Sequence, residues 1–137
     1  MRVLLDTNVV LDVLLARHPF AGPACELFGL VEHSRIEGLL CATSVTTVDY
    51  LLKQAMARAD AHSALRKLLS LFEIAPVNRA VLEEALNSRV VDFEDAVIVQ
   101  AGRLAGAEAV VTRNQKDFRY ASLKILGPDE CLSSFAG

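Results

Sequence analysis

Apolar residues along this chain fall into two alternating forms. Short runs at 3–5, 39–42 and 109–112 are apolar at almost every position. They are too short for helices and lack period-two alternation, so they read as strands buried on both faces. Segments 73–77 and 124–126 read as two further strands. Between them the spacing turns helical. Val9, Val10, Val13 and Leu14 predict a helix over 7–15, closed by Pro19. Pro23 suits the first turn of a second helix reaching about His33. Ser44 or Thr46 is placed to cap a third helix, VDYLLKQAMARA. Asp60 is placed to cap a fourth, with Leu65, Leu68, Leu69 and Phe72 on one face. Asn78 precedes the helix RAVLEEALNS. Asp92 precedes FEDAVIVQAGRLAG, which stops at Gly106. Pro128 opens a last short helix.

Buried strands alternating with helices call for a parallel sheet covered on both faces. The expected architecture is α/β: a three-layer αβα sandwich around a central, mostly parallel five-stranded sheet. No linker, repeat or low-complexity segment divides the sequence, so residues 1–137 are expected to form a single domain. In such sheets ligands bind beyond the carboxyl ends of the strands.

Composition narrows the chemistry. Hydrophobic residues make up 53% and charged residues 23%, which argues against disorder. The net charge of −3 gives no global basic field, so a polyanionic partner needs a local basic rim or a metal. Cys25, Cys41 and Cys131 are odd in number and far apart. They suit neither a disulfide framework nor a zinc site, and they fit a reducing, cytoplasmic setting. The apolar start is broken by Asp6 and Asp12 and resembles neither a signal peptide nor a membrane span.

Carboxylates stand at several strand ends and helix starts: Asp6, Asp49, the pair Asp92 and Asp95, and Asp117. Several acids in one cleft repel each other unless a cation lies among them. Oxygen donors without His or Cys suit a hard ion, Mg²⁺ or Mn²⁺. Such an ion supports attack of water on a phosphodiester. Each acid also has a plainer role: Asp6 and Asp92 as helix caps, Asp95 as a helix-start charge, Asp49 as surface, Asp117 in an Asx turn. Arg113, Lys116 and Arg119 flank Asp117; they can hold phosphates or line a solvated loop.

The ordered set LLDTNVVLD, DFEDAVIVQAGRLAG, VVTRNQKDF and ILGPDECL resembles the PIN domain family, particularly its bacterial VapC-toxin-like ribonucleases. The resemblance covers essentially the whole chain. A strand running into DTN and a later strand running into TRNxxDF are its specific parts. It implies a metal-dependent endoribonuclease whose metal ligands are Asp6, Asp95 and Asp117, with Asp92 as an additional catalytic acid. Asn8, Thr112 and Asn114 match supporting polar positions. It also implies RNA as substrate, a small antitoxin protein as partner, and pairing of two copies. Many relatives carry a Glu after strand two in a Ser-x-x-Thr-x-x-Glu setting. Here SVTTVDYLLKQ leaves either Asp49 as the second acid or the Thr47 hydroxyl in its place. Two other functions remain open on residues alone. One is a catalytically impaired module that binds RNA or a protein. The other is a phosphotransfer domain using Asp6 as nucleophile, for which DTNVV lacks a second Asp two residues on.

Overall fold

The structure, a computed structural model, describes residues 1–135. The alternation of buried strands and helices yields β1 (Arg2–Leu5), α1 (Thr7–Leu14), α2 (Ala21–Glu32), β2 (Glu37–Cys41), α3 (Ala42–Ala55) and α4 (Arg58–Leu71). Then follow β3 (Glu73–Ala75), α5 (Arg79–Leu86), α6 (Phe93–Leu104), β4 (Ala109–Val111), β5 (Lys124–Leu126) and α7 (Pro128–Ser133). A 3₁₀ turn, Gln115–Phe118, lies between β4 and β5.

All pairings in the five-stranded sheet are parallel, in the order β3-β2-β1-β4-β5. Successive residues of a strand point to opposite faces. Val3 and Leu5 therefore pack with α1, α2, α3 and α4 on one side, while Leu4 packs with α5 and α6 on the other. This is the expected three-layer sandwich. All three residues are fully buried, each contributing about 1.5–3 kcal/mol relative to exposure. The chain leaves β1 toward β2 on one side and returns to β4 on the other. That reversal opens a crevice at the carboxyl ends of β1 and β4, where ligands of open α/β sheets bind.

Boundaries differ from the sequence expectation in places. Helix α3 starts at Ala42, directly after β2, with no side-chain cap. Ser44 and Thr46 are therefore helical residues rather than caps. The Thr46 and Thr47 hydroxyls donate back to the Thr43 carbonyl at 2.8 and 3.2 Å, which satisfies them inside the helix. Helix α4 starts at Arg58, and Asp60 lies in its first turn, where it favours the helix through charge rather than as a cap. Strand β3 spans three residues. The stop at Gly106 holds: φ is +83° there, and Gly106 and Ala107 donate to the Arg103 and Gly102 carbonyls. Among the described residues no helix is long and apolar enough to cross a membrane.

Candidate active site

Asp6 follows β1 while still tied to the sheet, its N–H donating to the Val111 carbonyl at 2.9 Å. It occupies the N-cap position of α1, and its Oδ1 accepts from the Thr7 N–H at 2.8 Å. Its Oδ2 accepts from the Thr112 hydroxyl at 2.8 Å. The same carboxylate lines a hollow of about 370 Å³ at the sheet's carboxyl edge. Asp6 is thus a cap and a cleft acid together. Burial raises its pKa, and the Glu94 and Asp117 charges add to the rise; the Thr112 and Thr7 hydrogen bonds oppose it.

Helix α6 brings the next acids. Asp92 is its N-cap and accepts from the Asp95 N–H at 3.0 Å, one half of a capping box. Asp95 faces the same hollow as Asp6. Its pKa is pushed up to about 7, first by burial and then by the charges of Asp6, Asp92, Asp117 and Glu94. At neutral pH this side chain is poised between its acid and carboxylate forms. Asp117 stands on the exposed 3₁₀ turn. It lines an adjoining hollow of about 350 Å³ that shares Asp92 and Asp95 with the first and also holds Lys116 and Arg119.

The remaining predicted residues divide. Asn8 and Thr47 line the hollow. Thr112 is buried and receives the Asn114 backbone N–H at 3.0 Å, which ties the start of the TRN loop to Asp6. The Asn114 side chain makes no hydrogen bond among the described residues. Arg113 lines the hollow but is held by Asp12. Asp49 does not line it. Its carboxylate pairs with Lys53 at 2.7 Å and lies 3.8 Å from His62 of α4. Of these two residues, Thr47 lines the cleft and Asp49 does not. Two residues along an α-helix is a rotation of about 200°, so Asp49 faces away from Thr47 and toward His62 of α4.

Sequence reasoning misses Glu94, Arg17 and Asp12. Glu94 and Arg17 line the hollow. Asp12 is 1% exposed and binds both Arg17 and Arg113. The available signal for Asp12 was a charge inside an apolar helix stripe, which demands a partner.

Among the described residues no three acid, His or Cys side chains form a ready-made cation cage, Asp6, Asp95 and Asp117 included. The acids are spread over two adjoining hollows, with Asp117 exposed on its own turn. A Mg²⁺-type site needs less than a cage, because that ion keeps several waters and takes one or two carboxylates. The donor set fits on this count. Asp6 and Asp95 face one hollow, and Asn8, beside them, has a buried side-chain oxygen with no hydrogen-bond partner. A hard cation would relieve both that orphaned amide oxygen and the like-charge repulsion on Asp95.

Comparison with known proteins gives a consistent family. The PIN domain family model matches residues 2–116. A curated relative, Ribonuclease VapC1 of Aquifex aeolicus, is 22% identical over 134 residues, covering 94% of this chain and 92% of that one. Among solved structures, VapBC2 from Rickettsia felis, bound to a DNA fragment from its promoter, aligns with a TM-score of 0.74 at 18% identity, over 93% of this chain and 98% of that chain. VapC20 of Mycobacterium tuberculosis, a sarcin-ricin loop cleaving toxin, aligns at 0.64 and 17% identity, over 79% of this chain and 86% of that chain.

Proposed function

The chain belongs to the PIN domain family, and from that premise we propose that residues 1–137 are one Mg²⁺- or Mn²⁺-dependent endoribonuclease domain. The observation that carries the reading is the meeting of Asp6 and Asp95, with the Asn8 amide, in one hollow at the sheet's carboxyl edge. In this reading Asp6 and Asp95 hold the ion, and Asp117 joins them from the adjoining hollow. A bound divalent ion supplies charge to polarise the phosphoryl group and acidify water. The protein's own residues do the rest. The Thr112 hydroxyl and the Thr7 N–H fix the Asp6 carboxylate in place and oppose the rise in its pKa. Asp95, whose pKa is raised to about 7 without a metal, would be held in its carboxylate form by the ion. Asp92 orients the start of α6 beneath it. Lys116 and Arg119, beside Asp117, are placed to hold neighbouring phosphates.

The relatives named above as VapC and VapBC proteins support toxin action held in check by a small antitoxin protein, and pairing of two copies. Three cysteines without disulfides support a cytoplasmic setting. Cleavage of mixed single-stranded RNAs across a Mn²⁺ titration, with EDTA as control, tests the activity. Metal-dependent fragments support it, and intact RNA at saturating Mn²⁺ overturns it. A second reading, an impaired module that binds RNA or a protein, draws support from Thr47 standing where relatives carry an acid. Strong RNA binding without cleavage would favour it.

A further inference from the structure

One buried carboxylate organises the basic side of the cleft. Asp12, on α1, sits two helical positions after the apolar pair Val9 and Val10 and is 1% exposed. Its Oδ1 accepts from Arg17 Nε at 2.9 Å and from Arg113 Nη2 at 3.2 Å. Its Oδ2 accepts from Arg113 Nε at 2.6 Å. The Arg113 pair is the two-pronged form, which fixes the guanidinium plane as well as its position. Arg17 is fixed a second time, by Nη2 donating to the Asn8 carbonyl at 3.1 Å. Arg113 is fixed a second time by stacking over the Phe20 ring, 3.8 Å from its centroid. Asn8 and Asp12 belong to α1 and Phe20 to the loop after it, while Arg113 comes from the loop after β4.

Two cations share one anion, so the cluster carries a net charge of about +1 by simple pairing. Both arginines line the hollow that holds Asp6 and Asp95. Their side chains remain 39% and 23% exposed. Nη1 of each has no hydrogen-bond partner among the described residues. Asp12 is also the only carboxylate within ion-pair distance of either, among the described residues, despite the acids that share the hollow. Arg113 additionally borders a larger hollow of about 570 Å³ on its other side, between Phe20 and Pro128. Arg113 thus borders both hollows, and Arg17 lies beside it on the acid cleft.

We propose that Asp12 is a positioning residue that yokes Arg17 and Arg113 into a two-guanidinium clamp on an RNA phosphodiester entering the acid cleft. Asp12 does two things there. It presents the unpaired N–H groups of both arginines at one place, matched to phosphate oxygens. It also keeps both cations from collapsing onto Asp6 and Asp95, which would fill the acid hollow with protein charge. The clamp rests on the nuclease reading for its substrate class, but its contacts are testable without metal or cleavage.

The test is fluorescence anisotropy with a labelled single-stranded RNA decamer in EDTA, on an Asp95→Asn background that removes one repelling charge. Arg17→Gln and Arg113→Gln should each weaken binding at least fivefold. Each should reduce the slope of log affinity against log salt by about 0.7, the value for one phosphate contact on a single strand. Asp12→Asn is the discriminating variant. It removes a negative charge, so net charge alone predicts tighter binding; the clamp predicts weaker binding and a shallower salt slope, with Asp12→Glu recovering part of both. If Asp12→Asn does not fold, the two arginine variants decide, since both side chains are partly exposed. Unchanged affinity and slope in the folded arginine variants overturns the clamp, as does tighter binding by folded Asp12→Asn or no RNA binding by the background protein. Normal arginine effects beside a chain that never cleaves RNA in Mn²⁺ would uphold the clamp and overturn only the nuclease reading.

Discussion

The Thr112 hydroxyl donates to Asp6 Oδ2 at 2.8 Å, joining two residues 106 positions apart in the sequence. One stands after β1 and the other after β4, the neighbouring strands between which the sheet reverses its order. The same hydroxyl oxygen accepts the Asn114 N–H, so a single side chain links sheet edge, acid and TRN loop. Removing it leaves a buried carboxylate oxygen without its partner. Thr112→Val should therefore cost about 1–3 kcal/mol in urea unfolding, whereas Thr112→Ser should stay close to wild type. It should also weaken Mn²⁺ binding, because the lost bond favours the charged form of Asp6.

The pH dependence follows from Asp95. Its folded pKa of about 7 lies above the ordinary value of 3.8, so the folded state holds a proton that the unfolded state has released. Stability of the metal-free protein should then fall as pH rises between those values and level off above about 7. Asp6, also raised, acts with the same sign. Thermal melts in EDTA from pH 5 to pH 8 should show a falling midpoint, and Asp95→Asn should flatten the trend. Mn²⁺ should restore stability at pH 8, by about 2.7 kcal/mol at one hundred times its Kd. A midpoint indifferent to pH and to Mn²⁺ would remove the acid cluster as a metal site.

The second-acid position gives a gain-of-binding test. Thr47 lines the hollow, while Asp49 pairs with Lys53 and approaches His62. Asp49→Asn should leave Mn²⁺ affinity unchanged in calorimetry and lower stability by about 1 kcal/mol, the upper end for a surface ion pair, because the Asp49 side chain is only 23% exposed. Thr47→Glu should tighten Mn²⁺ binding by adding a carboxylate to the hollow. Loss of binding in Asp49→Asn would return that acid to the site.

The sandwich was legible because each strand is a short apolar run with buried residues on both faces, as Val3, Leu4 and Leu5 are. Asp6 was legible because it directly follows such a run; Thr112, the last residue of the run 109–112, was singled out through the family resemblance. The start of α3 was not. Its first turn is capped by no side chain, and hydroxyl residues that suit a cap were instead satisfied by the Thr43 carbonyl. Choosing between Thr47 and Asp49 depended on helix phase, which shifts with that start. Asp12 escaped notice as a site residue because its partners, Arg17 and Arg113, come from a loop and from the far end of the chain. No local pattern encodes that meeting.

Asp6 should hold a metal as well as cap α1. Asn caps a helix about as well as Asp but is a neutral, poorer ligand for a hard cation. Cleavage of single-stranded RNA by folded Asp6→Asn, measured across a Mn²⁺ titration beside wild type, tests this most directly. The expected result is loss of metal-dependent cleavage with the fold intact. Cleavage equal to wild type at low Mn²⁺ would reduce Asp6 to a helix cap and overturn its role as a metal ligand.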